Sequence, residues 1–295
     1  MAALAAIVDK DVADDKTICL FYNTSKAQLA LSLQSGTDTD TDDPASDTCV
    51  TPDDYDRYIL NPSSIAAAYY KGLKYVAAMT MPKQGQIDTD VQISLVSPTC
   101  QNFVEGDREN NHIALGITPD GNECWLYYLV DVSANVKAMR ELDLSTNETQ
   151  ALSAITQVRN NSSIAAWYDP EEEKRHVIYE AGAILDYTVG AQNPDTLPIS
   201  DFARNSSIGV AYSGSTKKAY LYYYDVYQNL KRSVHSGSNW GLPETISNAP
   251  MVAENSQITV AQANGFNHVF YIAKDMGTGG DEGQSSFTHI RDSIN

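Results

Sequence analysis

One short pattern, written several times along the chain, constrains the fold more than any other feature of the sequence. It reads NPSSIAAAYY at 61–70, NNHIALGIT at 110–118, NSSIAAWYD at 161–169, NSSIGVAYS at 205–213 and NSQITVAQA at 255–263. The anchoring isoleucines, Ile65, Ile113, Ile164, Ile208 and Ile258, stand 48, 51, 44 and 50 residues apart. A sixth copy, LAAIVD, begins at Leu4, 61 residues before Ile65, and an acidic insertion accounts for the excess. Repeats of that period are the signature of propeller blades, units that bury a core only by stacking on their neighbours.

Inside each unit the residues are those of strands. After the Ser-Ser-Ile start comes a run dense in Tyr, Val, Ile and Phe: TICLFY (17–22), CWLYYLV (124–130), RHVIYEA (175–181), AYLYYYDV (219–226) and HVFYIA (268–273). Such short runs suit strands buried on both faces. A third run follows, as in AQLALSL (27–33), GAILDYTV (182–189) and QNLKRSVH (228–235), with Gly, Asn, Asp and Pro between runs. No stretch sustains a 3.6-residue period. SANVKAMRELDL (133–144) comes nearest, and the repeat register lays it across a third strand and its turn. The expectation is an all-β protein: a six-bladed β-propeller of four-stranded antiparallel blades around a central axis, forming one domain over 1–295. The blades fall at about 1–57, 58–106, 107–155, 156–201, 202–250 and 251–295. A strand from one terminus completing a blade begun at the other is the expected seal, because it removes the free edge.

Charge and motif content exclude several functions. The formal net charge is −18, so nucleic acid and anionic membrane surfaces are expected to be repelled. No apolar run reaches a membrane span, and MAALAAIVDK lacks the basic and apolar regions of a signal peptide. Asp38, Asp40 and Asp42 have neither the Gly nor the closing Glu of a calcium loop. His112, His176, His235, His268 and His289 show no short metal-ligand spacing, and no metal or cofactor is expected. G-x-S-x-G, HExxH and P-loop patterns are absent, and GTGGDEG (277–283) reads as a loop. Cys19, Cys49, Cys100 and Cys124 lack CxxC spacing. A Cys49–Cys100 bridge, together with the Asn-Ser-Ser sequons, points to a secretory route.

The segment AYLYYYDVYQNLKRSVHSGSNWGLPETISNAP (219–250) and the Ser-Ser-Ile starts are similar to repeats of the fungal fucose-specific lectins, six-bladed propellers with sugar pockets between blades. That resemblance implies a pocket built from an Arg on the second strand, a Glu on the third and neighbouring aromatics. Here those positions fall on Cys19 and Leu31, Trp125 and Ala138, His176 and Asp186, and Tyr220 and Arg232 in the first, third, fourth and fifth units. His268 takes the Arg position of the sixth unit, and the second offers no Arg. A sugar diol needs a fork of donors facing an acceptor, and no unit keeps both. The chain also resembles the lectin-like hetero-Diels–Alderases of fungal tropolone–sesquiterpenoid pathways, which join a tropolone-derived o-quinone methide to humulene. That resemblance implies a cofactor-free pericyclase acting on hydrophobic small molecules. The alternative is a lectin with altered sugar sites.

Eighteen tyrosines and three tryptophans sit largely in the blades, where they either pack between sheets or line an aromatic pocket. For the pericyclase, Tyr70, Tyr168, Tyr212, Tyr220, His176 and Arg232 are the candidate proton and hydrogen-bond donors. Trp125, Trp167, Trp240, Tyr69 and His268 are the candidate walls that hold the substrate.

Overall fold

A computed structural model describes residues 3–37, 43–51, 55–83, 90–133, 136–155, 158–204, 206–274 and 287–294. The acidic Asp38, Asp40 and Asp42, the Gly-rich 277–283 segment and Asn205 lie outside them. The chain forms six small antiparallel sheets, the blades of a six-bladed β-propeller. They belong to two compact units, one of residues 1–55 with 201–295 and the other of 56–200. Among the described residues the one helical element is a 3-10 turn, Ala13–Asp15. No helix there is long and apolar enough to cross a membrane.

In the first unit, blade 1 is Leu4–Val8, Thr17–Asn23, Leu29–Ser35 and Asp43–Cys49, paired in chain order. Blade 5 is Gly209–Ser213, Lys218–Tyr224 and Leu230–Ser236, with the short strands Asn239–Trp240 and Glu244–Thr245 both on the third. Blade 6 is Thr259–Ala263, Phe266–Tyr271 and Thr288–Ser293. Each sheet is built from strands consecutive in sequence. The expected exchange of a terminal strand between first and last blades is therefore not seen among the described residues. Blade 1 takes all four of its strands from the N-terminal segment, which leaves no vacant position for a C-terminal strand.

In the second unit, blade 3 is Ile113–Ile117, Cys124–Ser133, Val136–Asp143 and Glu148–Ala151. Blade 4 is Ile164–Asp169, Lys174–Glu180, Ile184–Thr188 and Asp195–Thr196. Among its described residues the nearly helical 133–144 stretch is strand up to Asp143 and turn at Leu144, as the repeat register requires. Blade 2 places Arg57–Ile59 and Ile65–Tyr70 on the same partner, Leu73–Pro82, followed by Gln92–Ser97 and Gln101–Glu105. Arg57 is buried and bonds the Thr80 and Asp90 backbone carbonyls at 3.1 and 2.7 Å. It begins the blade one residue before the boundary read from sequence.

The repeated start has a specific mechanical job. Its first serine accepts from the second strand of its own blade: Ser162 from Glu180 N at 2.8 Å, Ser206 from Tyr224 N at 2.9 Å, and Ser256 from Ile272 N at 2.8 Å. Its second serine reaches the next blade. Ser64 Oγ accepts from Ile113 N at 2.8 Å and Ser207 Oγ from Ile258 N at 2.9 Å. In blade 6 the second position is Gln257, whose Oε1 accepts from Leu4 N at 2.9 Å, so the sixth copy ties to the irregular first one. One short side chain thereby satisfies the opening N–H of the neighbouring first strand, a group otherwise buried without a partner. The sequon at these starts is a by-product of that tie.

Apolar packing does the rest. Leu4, Ile113 and Ile164 pair across to Tyr22, Tyr128 and Tyr179, and Ile65 to the smaller Ala78. Trp125, Tyr127 and Leu129 of blade 3 pack on Ile164, Val177 and Tyr179 of blade 4, all buried. Tyr220, Tyr222 and Tyr224 of blade 5 do the same on Ile258, Val269 and Tyr271 of blade 6. First strands approach closely where residues are small: a Cβ on Gly209 would stand 3.0 Å from both the Ile258 carbonyl oxygen and Val260 Cγ2.

The expected Cys49–Cys100 bridge is not formed, and neither Cys19 nor Cys124 is in a disulfide. Cys49 turns its Sγ toward the carbonyl oxygens of Thr51 and Leu29, at 3.6 and 3.7 Å, at the end of its strand. Burial pushes the Cys124 thiol up to about 12, with Asp143 adding to the shift. Two outcomes follow from this packing. In the native protein Cys49 and Cys100, both exposed, label rapidly with a maleimide, whereas Cys19 and Cys124 label only after denaturation. Ser207→Ala strands the Ile258 N–H and lowers the urea midpoint by about 1–3 kcal/mol of stability at constant m; an unchanged midpoint contradicts the tie.

Candidate functional site

Strand register defines equivalent positions around the blades. Cys19, Tyr75, Trp125, His176, Tyr220 and His268 occupy one rung of the second strands, opposite Ile7, Ala68, Gly116, Trp167, Ala211 and Ala261. All but Tyr75 are the Arg positions read from sequence, which assigned none in the second unit. The matching third-strand rung holds Leu31, Leu95, Glu141, Asp186, Arg232 and His289. In blade 3 the sequence reading is therefore wrong by three residues. Ala138 pairs with Val130, and Glu141, paired with Tyr127, takes the place. The hairpin is longer there and carries a register shift between Asp131 and Ser133, which counting from the turn does not anticipate.

Glu141 is the acid of a buried polar cluster at the junction of blades 3 and 4. Side chains alternate along a strand, so Trp125, Tyr127 and Glu141 share the blade 3 face that meets blade 4. From blade 4 come Tyr168 on the first strand and Arg175 on the second, the residue just before His176. Arg175 Nη1 lies 3.1 Å from Glu141 Oε1, which also accepts from Gln150 Nε2 at 2.5 Å. The guanidinium stands over the Trp125 ring, 4.7 Å from its centroid, and Tyr168 lies parallel to Trp125 at 6.2 Å. A Cβ on Gly116 would come 3.3 Å from the Tyr127 ring and 3.5 Å from Ala166 Cβ, a tight but not forbidden fit at this junction.

The cleft holds more hydrogen-bonding capacity than the protein uses. Glu141 Oε2, the Tyr127 hydroxyl and Trp125 Nε1 are all buried and bond no described residue. Tyr127 lies beside the carboxylate at a geometry short of a hydrogen bond. Burial first, and Glu141 second, push its phenol well above the ordinary range. Burial also raises Tyr168, helped by Glu173, Glu123 and Asp120. The junction thus gathers a buried acceptor oxygen, two buried neutral donors and a half-buried guanidinium beside Trp125 and Tyr168, with Glu173, Glu123 and Asp120 near Tyr168. Clusters of unsatisfied buried polar atoms are uncommon in folded proteins.

Blade 5 meets blade 6 with the charges reversed. Arg232, in the rung of Glu141, donates from Nη1 to both Asp292 oxygens at 2.8 Å and from Nη2 to Glu244 at 2.9 Å. Tyr222, in the rung of Tyr127, donates to Asp292 at 2.5 Å and accepts from Asn267 at 2.8 Å. Here the protein supplies its own ligand. Burial, with Asp292 next, drives the Tyr222 phenol far above its usual range.

Tyr220 packs with Tyr222 at the blade 5–6 junction, and the other remaining sequence candidates converge on neither place. Tyr70 is buried with Tyr75 edge-on at 5.1 Å and Cys124 in the same apolar cluster, while Tyr69 is half-buried. Trp167 stacks on His176 at 4.1 Å, and His176 Nδ1 meets Asp186 at 3.1 Å, a cross-strand pair on the face opposite Arg175. In the other unit Tyr220 bonds Thr216 at 3.0 Å, Tyr212 is half-buried, and Trp240 tilts against His235 at 5.2 Å. His268 is fully buried, its Nδ1 2.9 Å from His289 Nε2. Of the named residues, Trp125 and Tyr168 meet in the blade 3–4 cleft; Glu141, Arg175, Tyr127 and Gln150 were missed. The signal for Arg175 was present, as the basic residue directly before His176 in EKRHV.

No family model matches the chain. It is 26% identical, over its whole length and 96% of the relative, to a protein named wall-associated proteinase from Coccidioides posadasii. In structure it is similar to a fungal lectin of Aleuria aurantia, described as a six-bladed propeller with a novel fucose recognition mode. The TM-score is 0.67 at 15% identity, covering 92% of this chain and 88% of the lectin. The SapL1 lectin, solved with α-methyl fucoside, gives a TM-score of 0.65 at 12% identity, over 99% and 96% of the two chains. At these identities the likeness shows the fold. The charge-reversed clamp makes its own prediction: Arg232→Met leaves the mostly buried Asp292 with the Tyr222 hydroxyl but without its cation. It lowers stability by about 2–3 kcal/mol in denaturant titration, less than a fully buried pair because the guanidinium keeps some water.

Proposed function

We propose that this protein is a carbohydrate-binding propeller whose sugar site is the cleft between blades 3 and 4. The observation that carries the reading is the set of unpartnered buried atoms, Glu141 Oε2, Tyr127 Oη and Trp125 Nε1, facing the Arg175 guanidinium. A pyranose diol matches it: one hydroxyl donates to Oε2 while the ring's oxygens accept from Arg175 and the neutral donors. Tyr168 and Trp125 offer apolar faces to the C–H side of the ring. The acidic rim of Glu123, Asp120 and Glu173 disfavours anionic sugars and favours neutral ones. Fucose is the first ligand to try, because structurally similar propellers are described as fucose-specific.

The aromatic faces of Trp125 and Tyr168 also favour a second reading, the pericyclase, in which an o-quinone methide lies against Tyr168 and humulene packs above. Orientation of that kind supplies up to about 7–11 kcal/mol in the best intramolecular cases. Titration with α-methyl fucoside and a glycan array test the first reading. The wild type binds a neutral sugar, and Arg175→Ala weakens binding by about 10–100-fold through loss of charge-assisted bonds. No bound glycan, or equal binding by Arg175→Ala, overturns it. Turnover of a tropolone quinone-methide precursor with humulene, above the uncatalysed rate and with one enantiomer in excess, transfers the cleft to the second reading.

A further inference from the structure

Five Asn-x-Ser/Thr triplets with x other than proline occur in the chain, beginning at Asn23, Asn147, Asn160, Asn161 and Asn205. Their placements differ sharply. Asn23 ends the second strand of blade 1 and is only 7% exposed. Asn160 and Asn161 share the blade 4 start, where Asn161 Oδ1 is buried and its N–H donates to Asn110 at 3.2 Å. The hydroxyls that complete those two triplets, Ser162 and Ser163, are buried. Ser162 Oγ already closes the blade by accepting from Glu180 N and donating to the Ser163 carbonyl. Position 205 lies outside the described residues.

Asn147 is different in each respect. It sits in the tight turn between the third and fourth strands of blade 3, with its φ at 60°, a left-handed conformation that asparagine tolerates. The turn is held by the Asp143 carboxylate, which accepts from Ser145 N at 2.7 Å and Thr146 N at 3.3 Å, and by Asn147 N donating to Asp143 O at 2.8 Å. The Asn147 side chain projects from this frame into solvent and bonds no described residue, and Thr149 is equally exposed. The turn flanks the candidate cleft, since Gln150, three residues on, bonds Glu141.

We propose that Asn147 is an N-glycosylation site, taking an oligosaccharide from a lipid-pyrophosphate donor in the secretory pathway. The Asn147 carboxamide nitrogen bonds to the anomeric carbon as the bond from that carbon to the pyrophosphate oxygen breaks. The amide proton is lost and the lipid pyrophosphate leaves. A glycan there projects into solvent without disturbing a strand or a blade tie, whereas one on Asn23 enters the core.

The test is expression of the full chain behind a secretion leader in yeast, with electrophoretic mobility before and after peptide N-glycosidase and mass mapping of the released sites. The expected result is a glycan on Asn147, lost in both Asn147→Gln and Thr149→Ala and retained in Asn160→Gln. Thr149→Ala keeps the turn asparagine, so loss of the glycan in that variant is independent of any strain at position 147. A secreted, folded chain with Asn147 unmodified, or with its glycan mapped instead to Asn160 or Asn161, overturns the assignment.

Discussion

The structure depends on a hydrogen bond that crosses from one blade to the next. A first strand begins with an N–H that its own sheet does not satisfy. Ser64, Ser207 and Gln257 supply the acceptor from the preceding blade for Ile113, Ile258 and Leu4. Once those N–H groups are fixed, the register of blade 3 against blade 2, blade 6 against blade 5 and blade 1 against blade 6 follows, and with it which side chains meet across those junctions. Apolar area supplies most of the driving force, but it is non-directional. The serine ties give it a registry.

Registry explains why similar positions do such different work. At the blade 5–6 junction Arg232, Tyr222 and Asn267 are joined by Asp292 from the last described strand, and the polar set closes on itself. The blade 3–4 junction has the same phenol position in Tyr127 but an acid in place of the base. Its guanidinium comes from the neighbouring sheet. There the polar groups outnumber their partners. A structural network that satisfies every group stabilises a fold; one that leaves three buried atoms without partners is where we propose that a ligand's hydroxyls supply them.

The fold was legible in the sequence because the tie is short-range and repeated: Asn-Ser-Ser-Ile carries both serine functions within four residues, at intervals that name the blade. The third strand over Val136–Asp143 followed from that spacing against a locally helical pattern. The site was less legible. Trp125 and Tyr168 could be picked out as aromatics, but Glu141 was displaced by a long hairpin with a register shift. Arg175 sits one residue from the position inspected, hence on the opposite face of its strand. Carrying a pocket over rung by rung within one blade fails when acid and base come from two. The expected Cys49–Cys100 bridge does not form either, because spacing along a repeat does not by itself fix the Cβ geometry that a disulfide needs.

The central claim is that one blade junction, rather than every junction, retains a ligand site. A crystal structure of the protein soaked with α-methyl fucoside tests it most directly. The account predicts a sugar in the blade 3–4 cleft, with one hydroxyl on Glu141 Oε2 and another on the Arg175 guanidinium, and the Arg232–Asp292 clamp unchanged. Sugar bound at other junctions while this cleft stays empty, or no bound sugar at saturating concentration, contradicts it.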